Sequence, residues 1–284
     1  MALNFFTMSQ EITYTRINTV EQDAAEFRGQ ISPLIDGIIQ AASPKVRQNL
    51  TYTHHPHMSV SSKLLAPSEL TLVQDEFEHN MSMLKGIDNI VRLQASALNT
   101  LASVQDNLAL SSPTEVNPKI ETLMAAKNIA TASRAVESLF SEVRHQHTEF
   151  FLNSLTRAIT ESSAVIGFSD VRIVERTSDF IRVLGKNSFS QYLVCEIEMN
   201  NTIDLHSELI GVTDGSCAHT MRMFEDELAE RGVSVSKKEQ KATCGIPQMP
   251  FSKKLLNKKT EQRRVLEDAT VVNNEIKSTV KINR

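Results

Sequence analysis

An apolar repeat through the middle of the chain constrains the fold more than any other feature. Between residues 69 and 110, apolar side chains recur at steps of three and four residues, as on one face of a helix. The mean step is close to the spacing of about 3.5 residues in a coiled-coil seam, so the sequence predicts one long helix from Glu69 to Leu110. The stripe consists of Leu70, Val73, Phe77, Met81, Leu84, Ile87, Val91, Ala95, Leu98, Leu101, Val104 and Leu108.

A second apolar stripe follows a short helix-breaking segment, residues 111–117. Asn117 and Pro118 place an N-cap residue type before a proline, and Gly167 stands where a C-terminal glycine cap is expected. The sequence therefore predicts a second helix from Pro118 to Ile166, folded back on the first as a long antiparallel helical hairpin that resembles a coiled coil. Additional apolar residues flank this stripe, so we expect the hairpin to self-associate into a homo-oligomer.

After Gly167 the apolar period changes from helical to alternating. Alternation predicts four short strands, near residues 171–173, 180–184, 189–199 and 202–210, followed by a helix that ends at Arg231-Gly232. Together with the end of the second long helix, the order is α-β-β-β-β-α. The predicted fold class is thus α+β, with a helical hairpin over residues 68–166 and a small domain with an antiparallel sheet over residues 167–235.

Residues 1–67 are predicted to form short helices and a histidine-rich connector. Thr19, Ser32-Pro33 and Ser43-Pro44 are helix-start signals. The connector contains His54-His55-Pro56-His57, but no carboxylate or cysteine lies in the same loop to complete a metal site. The sequence therefore favours a solvated loop over metal binding at this cluster.

Composition predicts a cytoplasmic protein without a membrane span. The chain has 284 residues and is 40% hydrophobic, and it lacks a run of about 18 apolar residues. Its first residues do not show the basic and apolar regions of a signal peptide. Cys195, Cys217 and Cys244 are odd in number and widely spaced, which favours reduced thiols over disulfides or a zinc site. The sequence predicts no cofactor.

The helical hairpin contains one pattern that could bind a metal. Glu76 with His79, and Glu142 with His145, are both E-x-x-H motifs, the spacing by which di-iron helical bundles present ligands. In the predicted hairpin, Glu149 lies opposite His79. A di-iron site also needs glutamates from two further helices, and both histidines fall on the polar side of their helices. The sequence therefore favours exposed Glu and His pairs over a metal site.

A cysteine beside the last predicted helix raises the possibility of thiol chemistry. Cys217 follows the loop at Ser216, and His219 is close to it in the sequence. A thiol at a helix N-terminus has a lowered pKa, and a nearby histidine can activate it. However, Cys217 shares the apolar stripe of Met221 and Phe224, which predicts a buried side chain.

The tail, residues 236–284, is predicted to be basic and partly extended. From Lys237 to Arg264 there are nine basic residues against two acidic ones, a local balance of +7, whereas the whole chain has a net charge of −4. Residues 244–251 interrupt this run with a proline-containing apolar segment, which we expect to lie in a groove on its own sheet or on another protein. The predicted docking residues are Lys237, Lys238, Lys241, Lys253, Lys254, Lys258, Lys259, Arg263, Arg264 and Phe251.

These features lead to one principal hypothesis and two alternatives. The principal hypothesis is a non-enzymatic assembly or adaptor subunit, which oligomerises through the helical hairpin and recognises other protein subunits through the α+β domain and the tail. The first alternative is a nucleic-acid-binding protein that uses the basic tail and the sheet. The second is an enzyme that depends on a metal or on a cysteine.

Overall fold

The computed structural model of the chain describes residues 8–20, 44, 46, 64–83, 90–199, 203–212, 215–243 and 247–257. The helices are α1 (Pro67–Met83), α2 (Ile90–Val104), α3 (Pro113–Ala125), α4 (Ile129–Val165), α5 (Cys217–Glu230) and α6 (residues 250–257), and a 3-10 helix over Gln105–Asn107 follows α2. The strands are β1 (Met8–Val20), β2 (Asp170–Arg176), β3 (Phe180–Lys186), β4 (Tyr192–Met199), β5 (Ile203–Val212) and β6 (Val233–Thr243). The protein is therefore a mixed α+β structure, as predicted.

The four strands predicted after Gly167 are confirmed as β2 to β5, an antiparallel run in which each strand pairs with the next. Val183, Cys195 and Ser207 lie opposite one another across β3, β4 and β5. Because side chains alternate along a strand, this row faces the same side of the sheet as the residues two positions before and after it on each strand. Leu193, Ile197 and the rest of that side pack against α4 and α5.

The sheet contains two strands that the sequence analysis did not predict. Its order is β2-β3-β4-β5-β1-β6, so β1 lies between β5 and β6 and pairs antiparallel with both. The short helices predicted for the start of the chain are therefore wrong over Met8–Val20. This stretch is rich in β-branched residues, which favour a strand over a helix. Pro44 and Val46 are helical, and the histidine cluster at residues 54–57 lies outside the described residues.

The first part of the predicted basic tail is also ordered structure. Residues Val233–Thr243 form β6, in which Glu239 lies opposite Thr13 and Lys241 opposite Glu11. Residues 250–257, predicted to be extended, form α6. The alternating valines and serines at the start of β6, and the three lysines that follow them, fit the composition of an edge strand.

The predicted helical hairpin with two continuous arms is not confirmed. In place of one helix over Glu69–Leu110, the structure has α1 and α2, with residues 84–89 outside the described part. The helix α2 is followed by the 3-10 helix Gln105–Asn107, after which Leu108 is extended. The first predicted arm therefore ends before Leu110, although the apolar repeat continues to Leu108.

The second predicted arm is also divided. The first helix begins at Pro113 rather than at Pro118, which lies inside α3. Ala126 is extended, and Asn128 then starts α4 with a capping box: its side chain accepts from the Thr131 N–H, at 2.9 Å. The predicted C-terminal glycine cap is confirmed, since Gly167 has a φ of +96° and the Phe168 N–H donates to the Ser163 carbonyl.

The helix α4 takes part in two apolar cores. Its first half, including Val136, Leu139 and Val143, packs with α1, α2 and α3. Its second half, including Phe151 and Ile159, packs beneath the sheet together with α5. The same continuous helix therefore holds the helical part of the chain against the sheet.

A buried histidine lies where the two cores meet. The His147 side chain on α4 is 0% exposed, and its Nε2 lies 2.7 Å from the Leu65 carbonyl oxygen. Its Nδ1 lies 3.2 Å from the Ala109 backbone nitrogen and 3.0 Å from the Ala109 carbonyl oxygen. A neutral ring with its proton on Nε2 donates to Leu65 and accepts from the Ala109 N–H. One side chain thus joins α4 to the segments before α1 and after α2.

Acidification is expected to destabilise the fold through His147. Burial lowers the pKa of His147, so the unfolded chain takes up a proton near the ordinary value of about 6.5 while the folded chain does not. The stability that the buried, neutral His147 contributes is therefore fully present above about pH 6.5. It is lost as the pH falls, by up to about 1.4 kcal/mol per pH unit. Urea unfolding between about pH 7.5 and about pH 5.5 should show a steeper loss of stability for the natural chain than for His147→Gln, which cannot titrate. Equal slopes would contradict this role.

Candidate functional site on the outer face of the sheet

One face of the sheet packs on α4 and α5, and the opposite face is named the outer face here. It is built from alternate residues of three neighbouring strands, which the antiparallel register places side by side. These residues are Phe180, Arg182 and Leu184 from β3, Tyr192, Val194, Glu196 and Glu198 from β4, and Asp204, His206, Glu208 and Ile210 from β5. The outer face is thus apolar on one side and rich in carboxylates on the other.

The helix α6 covers the apolar side of the outer face. Met249, just before α6, is buried against Leu184, Val194 and Ile210. Tyr192, Phe251, Leu255 and Leu256 are partly buried around this cluster. On the other side of α6, Lys253 and Lys254 are exposed. The helix is therefore amphipathic, and its apolar side occupies a groove on the sheet.

A carboxylate within the groove binds the N-terminal end of α6. The Glu208 side chain is 0% exposed, although it lies in the middle of β5. Its Oε1 accepts from the Gln248 N–H at 2.7 Å, and its Oε2 accepts from the Met249 N–H at 3.2 Å. Both donors precede the first helical residue, Pro250, which has no N–H group, and the helix dipole favours a negative charge at this end. The two hydrogen bonds and the charge stabilise α6 on the sheet.

An arginine holds the side of the groove nearest β3. The Arg182 guanidinium lies between two rings, 4.9 Å from the centroid of Phe180 and 4.6 Å from that of Phe251. Its Nε donates to Glu196 at 2.6 Å, and its Nη1 donates to Glu175. Cation–π contacts and two ion pairs therefore fix the guanidinium against which Phe251 packs.

The predicted docking residues of the tail are distributed over different elements. Phe251 packs in the groove, whereas Lys253 and Lys254 point away from it. Lys237, Lys238 and Lys241 belong to β6, at the edge of the sheet. The remaining basic residues, Lys258, Lys259, Arg263 and Arg264, lie outside the described residues.

The predicted metal-ligand candidates do not form a site in the described part of the chain, where no group of three or more His, Cys, Asp or Glu side chains could hold a metal ion. Glu76, His79 and His145 are exposed, while Glu142 accepts from the Gln146 side chain at 2.8 Å. Glu149 binds Arg176 at 2.6 Å. The aromatic contact of α1 with α4 joins Phe77 to Phe140, with centroids 5.2 Å apart, so the alignment that predicted His79 opposite Glu149 is wrong.

Both described thiols are buried. Cys217 lies in the core beneath the sheet with Met221 and Phe224, as its stripe predicts. Burial raises the pKa of Cys195 to about 12, and Ser207 Oγ donates to its sulfur at 3.4 Å. A thiol with these properties is a poor nucleophile. The third thiol, Cys244, lies outside the described residues.

Sequence reasoning anticipated the segment that fills the groove but not the residues that bind it. The proline-containing apolar segment ending at Phe251 indicated a peptide lying on a sheet. Glu208 and Arg182, in contrast, alternate with apolar residues along their strands, which is the pattern of solvent-facing positions. The segment that leads into α6 comes from a distant part of the sequence and binds the buried Glu208 carboxylate.

Comparisons with protein-family models, curated proteins and solved structures found no match. Among the described helices, none is long and apolar enough to cross a membrane. The geometry of the outer face is therefore the basis on which a function can be argued.

Proposed function

We propose that this protein is a non-enzymatic, cytoplasmic assembly or adaptor subunit, and that the outer face of its sheet binds an amphipathic helical segment of polypeptide. The observation that carries the proposal is α6 itself, which occupies the groove through Met249 and Phe251. Helix-in-groove contact is a general mode of protein recognition, in which apolar anchors supply most of the binding energy.

The chemistry of the groove suits a helix rather than a small polar molecule. Leu184, Val194 and Ile210 provide an apolar floor, and Glu208 provides one buried acceptor for backbone N–H groups. The residues that lead into a helix, like those of its first turn, present N–H groups that the helix itself does not bond. The groove can therefore accept α6 or a partner helix with similar apolar anchors, and exchange between the two would link the protein to other subunits.

The helical part of the chain supports the assembly proposal in a second way. Leu72 on α1 is exposed although it is a large apolar residue, and the core formed by α1, α2, α3 and α4 lies apart from the sheet. Self-association through these helices, which the apolar stripes predict, remains part of the proposal and leaves the outer face accessible to other proteins.

A chain that ends at residue 246 should bind a synthetic peptide of residues 247–264. Removal of α6 exposes the apolar floor and leaves Glu208 without the Gln248 and Met249 donors, so the peptide regains contacts that the natural chain already makes. Fluorescence anisotropy of labelled peptide should show saturable binding to the shortened chain and at least about tenfold weaker binding to the full chain, where α6 competes.

Two peptide variants separate groove binding from charge attraction. Met249→Asp removes the buried anchor and should abolish binding, whereas Lys253→Asp alters an exposed position and should change affinity little at moderate salt. If the shortened chain is folded by circular dichroism and the peptide does not bind, the proposed polypeptide-binding function is wrong.

Nucleic-acid binding is the second candidate, and the exposure of Lys253 and Lys254 favours it. The carboxylates Glu196 and Glu198 on the outer face oppose the use of the sheet itself by a polyanion. Amine-reactive cross-linking of the full chain to the molecules that bind it distinguishes the two candidate functions. Polypeptide adducts at these lysines would favour the adaptor, and a salt-sensitive nucleic-acid shift lost in K253E/K254E would favour the alternative.

A further inference from the structure

The two edges of the sheet differ in how they are protected from pairing. β2 and β6 are the edge strands of the six-stranded sheet. Charged side chains, lysine above all, proline and bulges are common devices that block edge-to-edge pairing. β6 contains three lysines and one glutamate, whereas β2 contains two arginines, one aspartate and one glutamate, so its charges block pairing except with a strand of complementary charge order. All residues of β2 except Val171 are exposed, including Ile173 at 46% and Val174 at 38%.

A bulge in β2 brings two opposite charges to the same side of the strand. Arg172 lies opposite Leu184 and Glu175 opposite Arg182, and the register shifts by one residue between them. In a regular strand, residues three apart point to opposite faces. Because of the extra residue, both Arg172 and Glu175 lie on the outer-face side.

The charge order makes β2 complementary to itself. If two copies pair antiparallel about a two-fold axis between Ile173 and Val174, Arg172 lies opposite Glu175 of the second copy, and Glu175 opposite its Arg172. Opposite residues in a sheet share a face, and this register satisfies that condition. A register shifted by one residue places Val171, which faces the helices, opposite Glu175, which does not.

We propose that β2 pairs antiparallel with β2 of a second copy of this chain, in the register that joins Arg172 to Glu175 and Ile173 to Val174. The bulge favours a second copy as the occupant, because a regular strand would not match the extra residue, whereas the same strand supplies a bulge at the same point. The inference rests on the proposed assembly function and names a partner surface for it.

The charges available at this edge agree with the proposal. Within the described part of the chain, the Arg172 side chain is exposed and makes no ion pair, and Glu175 contacts Arg182 while its side chain remains 48% exposed. Pairing would give Arg172 a carboxylate and remove Ile173 and Val174 from water. A contact limited to two strands of seven residues is small compared with the interface of a permanent dimer, so we expect self-association to depend on concentration.

The test is a charge exchange in the full chain, followed by sedimentation analysis. Arg172→Glu places two like-charged pairs across the interface and should weaken the dimer by about tenfold or more. Glu175→Arg should weaken it similarly. An equimolar mixture of the two variants restores both opposite-charge pairs, so it should form a heterodimer with an affinity near that of the natural homodimer.

Arg92→Glu is the matched control, because Arg92 is an exposed arginine on α2, away from the sheet, and its reversal should leave the dimer unchanged. Hydrogen exchange of the β2 amides should also slow as protein concentration rises. A monomer at every concentration, a dimer unaffected by both reversals, or a mixture that does not associate would overturn the proposal. Arg172→Glu leaves the residues of the groove unchanged, whereas Glu175→Arg removes one of the two ion pairs of Arg182. Dimerisation and peptide binding are therefore measured separately on each variant, and loss of the dimer in Arg172→Glu with peptide binding retained distinguishes the two proposals.

Discussion

Replacement of His147 by alanine is expected to lower the free energy of unfolding by about 3–5 kcal/mol, the largest effect of a single substitution proposed for this chain. The change leaves the Leu65 carbonyl and the Ala109 N–H without their partner in a buried site. It also removes a ring that packs edge-on against Phe151, with centroids 5.1 Å apart. Urea denaturation at neutral pH measures the loss.

His145→Ala provides the matched control, since His145 lies two positions earlier on α4 and is exposed. Its replacement should change stability by less than about 0.5 kcal/mol. A similar, small effect in His147→Ala would show that the junction between the two cores does not depend on this side chain. Circular dichroism of the His147 variant would show whether helix content falls with stability.

Glu208→Ala is expected to release α6 from the sheet, at a cost of about 2–3 kcal/mol in stability. The variant removes the acceptor for the Gln248 and Met249 N–H groups and opens a space beneath the helix. Amides of residues 250–257 should then exchange faster, and trypsin should cut sooner after Lys253 or Lys254. Both measurements report on α6 directly, without requiring the whole fold to be lost.

Glu198→Ala serves as the control for Glu208, because Glu198 is a half-buried carboxylate on the neighbouring strand of the same face. Its removal should leave exchange in α6 unchanged. Glu208→Gln should give an intermediate result, since the amide oxygen keeps one acceptor but the charge is lost. Unchanged protection of α6 in Glu208→Ala would mean that the apolar contacts alone hold the helix.

The apolar repeat allows more than one set of helix boundaries, and the observed boundaries show which local signals decide between them. Apolar spacing continues through residues 126–128, so it predicts one helix, whereas the Asn128 capping box starts a new helix there. Likewise, both Pro113 and Pro118 follow residues that can cap a helix. The earlier site is used, and Pro118 lies inside α3 as its sixth residue, where it cannot donate the helical hydrogen bond to the Thr114 carbonyl.

The position of β1 in the sheet could not be predicted from neighbouring residues. Met8–Val20 pairs with β5 and β6, which lie far along the chain, so no turn or short-range alternation identifies its partners. Its β-branched composition was a usable signal for a strand. The role of Glu208 could not be predicted for the same reason, since its contact with the segment before α6 does not follow from the sequence of β5.

The continuity of α4 has a mechanical consequence. At about 1.5 Å per residue, its 37 residues form a rod of roughly 55 Å that is embedded in the helical core at one end and beneath the strands at the other. A helix without an internal break has no hinge. A tilt of α1 to α3 caused by a bound protein would therefore also move the other end of α4 and displace the strands that support the groove.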